Sequence, residues 1–368
     1  MSKDKLVDYD STASGNLDVG GVSVAEGMLP SNVNNAIREQ MSHLKDFADG
    51  TEAINALAVD NLKMDGNTIS STDTNGDIIL DPDGTGKVDI NGNLDVDGGT
   101  IKLDGNYPTG TNNVALGDAA LDDGSLSGGN NTAVGYNSAT SNTTGEFNSS
   151  YGASSLGTNS TGVRNTAIGT NALLSNSTGS YNSALGMQAL SSNTTTSNNT
   201  AVGHQALYTN AQNFNVGLGH VAGYANTTGY ITAIGSAALQ YNTTGTNNVA
   251  VGGYNNAVAT LRNNTTGSQN TGVGYGALVN NTTANNNTAV GKDAMYANTT
   301  GTANVGLGKD ALASNTTGVE STAVGYQAGF LNTTGRIVAV GRHALRSNTT
   351  AVENTGIGYR ALRDNTTG

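Results

Sequence analysis

A phrase of about seventeen residues recurs from residue 113 to the end of the sequence. It reads NTAVGYNSATSNTTG at 131–145 and NTAIGTNALLSNSTG at 165–179. The glycine that closes its first part occurs fifteen times, at intervals of 16 to 18 residues with one interval of 22. A short period held this steadily predicts a stack of repeated units, because a compact globular domain imposes no such register.

The positions around this glycine predict the local structure of each repeat. The residue before it is mostly Val, Ile or Leu, and the residue before that is always Ala, Gly or Ser. Thr-Ala-Val therefore predicts a short strand that ends at the glycine. The Ala-Leu pair that follows predicts a second short strand, and Asn-Thr-Thr-Gly predicts a turn. Each repeat is predicted to be one coil of a β-roll or β-solenoid, with two strands and two turns, so that 108–368 forms about fifteen coils.

Strand alternation assigns the two apolar columns to opposite faces. We expect the larger residues to fill the interior of the coils, at Val134, Ile168, Leu185, Val202, Ile234 and Val290. The small residues are then expected on the outer face, at Ala133, Ala167, Ala184, Ala201 and Ala289. Because that column is small in every copy, we predict that another chain packs against it and that the protein is a homotrimer. The alternative is that small residues simply suit a tight solenoid.

Asn recurs four residues before the glycine in 12 of the fifteen copies and seven residues after it in 13. Stacked coils place identical amides one above another, which predicts Asn ladders along the axis. The composition agrees with a thin, regular core, because the chain has no Trp and no Cys and only 5% aromatic residues. The absence of Cys also excludes disulfides and Cys-ligated zinc.

One coil is longer than the others, with five residues inserted after its strand in GYNNAVATLRN, 253–263. A solenoid tolerates such an insertion as a loop. Tyr254, Leu261 and Arg262 are candidates for a local binding knob. The alternative is a loop without a function of its own.

The first 107 residues lack the repeat. Within 1–61, an amphipathic helix is predicted over 31–48, where Val33, Ile37, Met41 and Leu44 form one apolar stripe. The stripe would dock on copies of itself around a three-fold axis or on a docking surface elsewhere. Residues 62–107 read as a short β-rich shaft with Asn-Gly and Asp-Gly turns. DPDG at 81–84 is assigned to turn chemistry rather than to calcium, because the further ligands of an EF-hand loop are missing.

The charge is unevenly distributed, since 1–107 holds 19 acidic and 7 basic residues and 108–368 holds 9 of each. The neutral repeats disfavour nucleic acid as a partner. No catalytic motif, cofactor motif or metal-ligand spacing occurs, so no enzyme activity, cofactor or metal is expected. The sequence also lacks a membrane-length apolar run and a signal-peptide core, so no membrane insertion is expected.

Residues 8–46, DYDSTASGNLDVGGVSVAEGMLPSNVNNAIREQMSHLKD, resemble the N-terminal segment of tail fibres of short-tailed bacteriophages. The phrase at 67–92 also resembles a shaft phrase of such fibres. The repeats resemble the β-roll of trimeric autotransporter adhesin heads, although those coils are shorter. The resemblance implies a mainly β, elongated trimeric fibre located in the virion.

In such a fibre, 1–61 would bind adaptor or nozzle proteins of the tail, and the repeats would extend toward a host receptor, with a glycan as one candidate. Two alternatives stay open. One is the head of a bacterial trimeric adhesin, and the other is a carbohydrate- or ice-binding solenoid that uses the Thr-Thr columns.

Overall fold

The structure, a computed structural model, describes residues 110–253 and 258–366, together with two short strands near the N-terminus. The chain divides into two units, Met1–Asp95 and Val96–Gly368. In the first unit, strand β1 (Asp18–Val19) pairs antiparallel with β2 (Val22–Ser23). The predicted helix over 31–48, with Val33, Ile37, Met41 and Leu44, and the predicted shaft at 62–107 lie outside the described residues.

The second unit contains one parallel sheet of fifteen strands in chain order. Each strand pairs with the next in the same register, so that Ala167 lies beside Ala184 and Ile168 beside Leu185. The predicted solenoid is therefore confirmed, with about 14 coils of about 17 residues. The strands are β3 Val114–Leu116, β4 Thr132–Val134, β5 Ser149–Tyr151, β6 Thr166–Ile168, β7 Ser183–Leu185, β8 Thr200–Val202, β9 Val216–Leu218, β10 Ile231–Ile234, β11 Asn248–Val251, β12 Thr271–Val273, β13 Thr288–Val290, β14 Val305–Leu307, β15 Thr322–Val324, β16 Ile337–Val340 and β17 Asn354–Ile357.

Each coil has one strand, not the two that the sequence predicts. The Ala-Leu pair lies in a run of turns that follows the strand. Its backbone still bonds to the adjacent coil, because Leu173 N donates to Ala189 O at 3.0 Å and Leu190 N donates to Ala206 O at 3.0 Å. The second ladder is therefore present, but its backbone is not extended.

Left-handed backbone positions explain why this run is not a strand. In the coil that begins at Gly169, φ is +58° at Asn171 and +51° at Leu173. A bulky residue at positive φ is rare, because its Cβ crowds the backbone. The complete burial of Leu173 offsets that cost. Gly169 itself has φ +124°, and a Cβ there would lie 2.7 Å from the carbonyl carbon of Gly186 in the next coil, so only glycine fits.

The two side-chain columns of the strands face the opposite way from the prediction. The small column points inward, and Ala133, Ala167, Ala184, Ala201 and Ala289 are 0–1% exposed. The aliphatic column points outward, where Ile168, Leu185, Val202 and Val290 are 37–46% exposed and Val134 and Ile234 are partly buried. The interior is completed by a column of mostly Leu from the turn run, for example Leu156, Leu173, Leu190, Leu207 and Leu239.

The proximity of this Leu column explains why the inner strand position is always small. A Cβ added at Gly217 would lie 2.8 Å from Cγ of Leu207 in the preceding coil, and one at Gly356 would lie 3.0 Å from Cγ of Leu345. The sheet and the turn run are so close that the inner position of each strand can hold only Ala, Ser or Gly. The small column is therefore a requirement of the tight coil and cannot be the face that contacts another chain.

Two ladders of buried Asn run through the stack, as predicted. In one, Asn159 Nδ2 donates to Asn142 Oδ1 at 2.8 Å, and Asn176 Nδ2 donates to Asn159 Oδ1 at 2.8 Å. In the other, Asn148 Oδ1 accepts from the backbone N of Asn165 at 2.9 Å, while Asn148 Nδ2 donates to Gly162 O at 2.8 Å. These amides satisfy backbone groups that the turns leave unpaired inside the coil, which makes their burial favourable.

Candidate interaction surfaces

The outer face of the fifteen-stranded sheet is an uncharged surface. Each strand directs two side chains outward, a Thr, Val or Ser and, two residues later, the aliphatic residue or Tyr151. Neither column contains a charged residue in any of the fifteen strands. We call this surface the sheet face. It combines β-branched side chains with repeated exposed apolar groups, an arrangement that marks interaction surfaces in folded proteins.

The inserted coil gives a different result for each of its three predicted residues. Leu261 is 0% exposed and occupies the interior Leu column, so it is a core residue and not part of a binding knob. Arg262 lies on the surface with its guanidinium carbon 4.7 Å from the ring centre of Tyr241, to whose hydroxyl it donates at 3.1 Å. Tyr254 lies outside the described residues. The insertion begins and ends at the antiparallel bridge between Gly253 and Ala259.

A second surface lies at the corner where the strand passes into the turn run. The residue directly after the strand-ending glycine stacks on its equivalents in neighbouring coils, as His204 does on His220 at 5.2 Å. In the last six coils this corner position holds only aromatic or cationic side chains, whereas the earlier coils include Asp, Ala, Thr, Ser and Gly. The six are Tyr275, Lys292, Lys309, Tyr326, Arg342 and Tyr359.

Cation–π contacts connect these corner side chains. Lys309 Nζ lies 5.4 Å from the ring centre of Tyr326. The guanidinium of Arg342 lies 5.7 Å from Tyr326 and 5.9 Å from Tyr359. Arg346, on the neighbouring column of the turn run, lies 5.3 Å from Phe330 and donates from Nε to Gln327 Oε1 at 3.1 Å. These contacts hold the cations at defined places along the stack.

Four arginines surround His343 in the last two coils, namely Arg342, Arg346, Arg360 and Arg363. The pKa of the imidazole is lowered, first by burial and then by the positive charge of these four groups. Within the described residues, only Arg363 of the four has an ion-pair partner, Asp364 at 3.7 Å. The surface around His343 is therefore strongly positive, and the imidazole stays neutral near pH 7.

An open groove of about 620 Å³ lies on the same side of the stack. Tyr275, Tyr296 and Phe330 provide aromatic walls, and Ala313 and Ser314 leave space between them. Asp293 also lines the groove and forms a 3.7 Å ion pair with Lys292. Burial raises the pKa of the Asp293 carboxyl, although the Lys292 ammonium opposes that change.

Other kinds of site are not found in the described part of the chain. Among 110–253 and 258–366, no three His, Asp or Glu side chains are grouped so that they could hold a metal ion. Helices long and apolar enough to cross a bilayer are likewise absent from the residues that the structure describes. The chain matches no family model, no curated protein and no solved structure.

Proposed function

We propose that the chain is a structural component of a phage tail fibre, attached to the tail by residues 1–61 and extending a trimeric stack of coils toward the host cell. The observation that carries this proposal is the unbroken register of fifteen strands with hydrogen-bonded Asn columns inside. At about 4.8 Å per coil the stack is about 70 Å long, and its interior ladders make it stiff. The resemblance of 8–46 to tail-fibre segments supports the virion as its location.

The sheet face supports lateral assembly into a trimer in place of the small column. Fifteen strands, each about 10 Å long and about 4.8 Å from the next, give a face of about 700 Å². A trimer that buries this face on all three copies would bury about 2,100 Å², compared with about 1,600 Å² in a standard two-chain interface. A second copy of the chain presents the same spacing along its axis, so side chains of the two copies can interdigitate in every coil. Tyr151 (41% exposed) and Leu185 (46% exposed) would be buried in such an assembly.

The oligomer can be tested on the full chain by mass photometry. We expect trimers for the unaltered protein and monomers for Ile168→Lys combined with Leu185→Lys, because lysine on this face would bury unpaired charge. Thr170→Lys with Met187→Lys is the matched control, since both residues are exposed in the same coils but lie at the corner. Monomers of the unaltered chain, or trimers of the sheet-face variant, would exclude this assembly.

The location can be tested with antibodies against the repeats, used in electron microscopy of the strain that carries the gene. After induction of phage production, the label is expected on virion tails. Label on the cell envelope and none on virions would reject the fibre and favour the adhesin alternative.

A further inference from the structure

We propose that the corner surface of the last six coils binds an acidic polysaccharide. The cation surface, defined as Lys309, Arg342, Arg346, Arg360 and Arg363, would bind its carboxylates, and the adjoining aromatic groove would hold its sugar rings. This inference deepens the proposed function and rests on it for the biological setting, because it names the class of receptor. The binding itself can be measured on the isolated chain.

The fold does not require the aromatic and cationic side chains at the corner. The coil needs its glycine, its small inner residue, its Leu and its Asn, and all four recur along the stack. The corner position can hold Ala153, Thr170 or Ser236 with the same strand and the same turns. A continuous block of aromatic and cationic residues is therefore an addition to the scaffold, confined to one end of the repeats.

In the described part of the chain, three arginines of the cation surface are oriented by aromatic rings and carry unpaired positive charge. Arg342, Arg346 and Arg360 have no carboxylate partner among the described residues, and their guanidinium groups are positioned against aromatic rings. A guanidinium that is already oriented loses little entropy when it binds a carboxylate through two hydrogen bonds. Four arginines within two coils would repel one another without an anion, so an anionic ligand relieves that repulsion.

The groove beside the cation surface can hold the sugar rings of the ligand. The groove continues this surface, because Phe330 lines it and also carries Arg346 on its ring. Its aromatic walls can stack on the apolar face of a sugar ring, and Asp293 and Ser314 can accept hydrogen bonds from sugar hydroxyls. A binding site that combines aromatic faces with a few polar groups is typical for such ligands.

The same features favour a polysaccharide over a single-stranded nucleic acid. The carboxylates of Asp293 and Asp310 can accept hydrogen bonds from the free hydroxyl groups of a polysaccharide, whereas the backbone of single-stranded DNA has no free hydroxyl group to donate.

The test is a titration of the full chain with polygalacturonate, dextran and oligo(dT) of similar length, followed by biolayer interferometry. We expect polygalacturonate to bind and its affinity to fall steeply with added salt. Replacing Arg342, Arg346 and Arg360 by Gln should weaken binding by at least about tenfold, because charge-assisted hydrogen bonds are lost. Tyr296→Ala should weaken binding while leaving its salt dependence unchanged.

The matched control is Arg164→Gln with Arg262→Gln, which removes two arginines that also contact aromatic rings but lie in earlier coils. It should bind like the unaltered chain. The proposal is overturned if polygalacturonate does not bind, if dextran binds equally, if oligo(dT) binds more tightly, or if the triple variant is unaffected. Trimers and tail labelling are measured separately, so failure here leaves the fibre proposal standing.

Discussion

At the scale of single residues, two coils differ from the others in where their large side chain lies. They have a smaller residue in the turn run and a larger residue at the start of the strand. The Leu column holds glycine at Gly223 and Gly329. In those same coils, the buried Asn four residues before the strand-ending glycine is replaced by Ile231 and Ile337. A Cβ at Gly223 would lie 2.7 Å from Ile231 Cδ1, and one at Gly329 would lie 2.7 Å from Ile337 Cδ1. The isoleucine therefore fills the space that leucine occupies in the other coils.

This exchange predicts a rescue. Gly223→Leu should lower the free energy of unfolding by about 1–3 kcal/mol, because the new side chain overlaps Ile231 and Leu207. Backbone strain is not the cause, since Leu207 and Leu239 adopt φ +50° at the equivalent position. Adding Ile231→Asn should recover most of the loss in a urea titration. A double variant whose loss equals the sum of the two single losses would contradict the explanation.

Buried Asn side chains are also a residue-scale determinant of stability. Asn176 donates to Asn159 Oδ1 at 2.8 Å and to Gly179 O at 2.9 Å, and it accepts from Asn193 Nδ2 at 2.9 Å. Asn176→Ala should lower the unfolding free energy by about 2–4 kcal/mol, since it leaves buried polar groups unpaired. The exposed Thr170→Ala in the same coil should change it by less than about 0.5 kcal/mol. Equal effects of the two variants in thermal unfolding would count against a structural ladder.

At the scale of elements, the last two coils place four arginines around one imidazole. The pKa of His343 is lowered in the folded state from 6.5, so between these two values the unfolded chain binds more protons. Its contribution to stability is thus complete above about pH 6.5 and is lost as the pH falls through the lower, folded value.

The pH effect is best measured as the change in melting temperature between pH 7.5 and pH 5.5. The unaltered chain should lose more stability on acidification than His343→Gln. Glutamine is a suitable replacement, because Gln327 occupies the equivalent position in the preceding coil with φ +53°. An identical pH response of the two proteins would show that His343 does not contribute.

At the scale of the whole molecule, the stack of coils is close to one-dimensional, because each strand pairs only with the strands directly before and after it in the chain. The stability of such an array is approximately a sum of coil and nearest-neighbour terms. Coil number can then change without changing the fold, provided that every column stays in register.

Deletion of residues 170–186 removes one complete coil and connects Gly169 to Met187, which occupies the position equivalent to Thr170. We expect this protein to keep its β-rich circular dichroism spectrum and to melt within a few degrees of the full chain. Deletion of 170–178 removes half a coil and should destabilise it strongly, because the Asn, Ala and Leu columns no longer align. Similar melting of both proteins would argue against a stack held by its register.

The sequence by itself determined the repeat, the parallel stack, the glycine that ends each strand and the Asn ladders. These properties follow from period and residue type, because equal residues one coil apart must lie side by side. The predictions that Ala167 lies on the outer face and Ile168 in the interior are wrong. Alternation places these two residues on opposite faces of the strand, but it does not determine which face is buried. The prediction that Leu261 belongs to a surface knob is also wrong. Aligning the long coil with the others does not show which of its residues are the inserted ones.

Only the tertiary structure decided these points. Leu173 at φ +51° turns the chain sharply, which brings the Leu column so close to the sheet that only small residues fit between them. That left-handed turn has no signal in residue type, because leucine normally avoids it. Burial of the Ala methyl groups against the Leu side chains then directs the larger aliphatic residues outward. The thinness of the coil therefore decides which face is available to a partner.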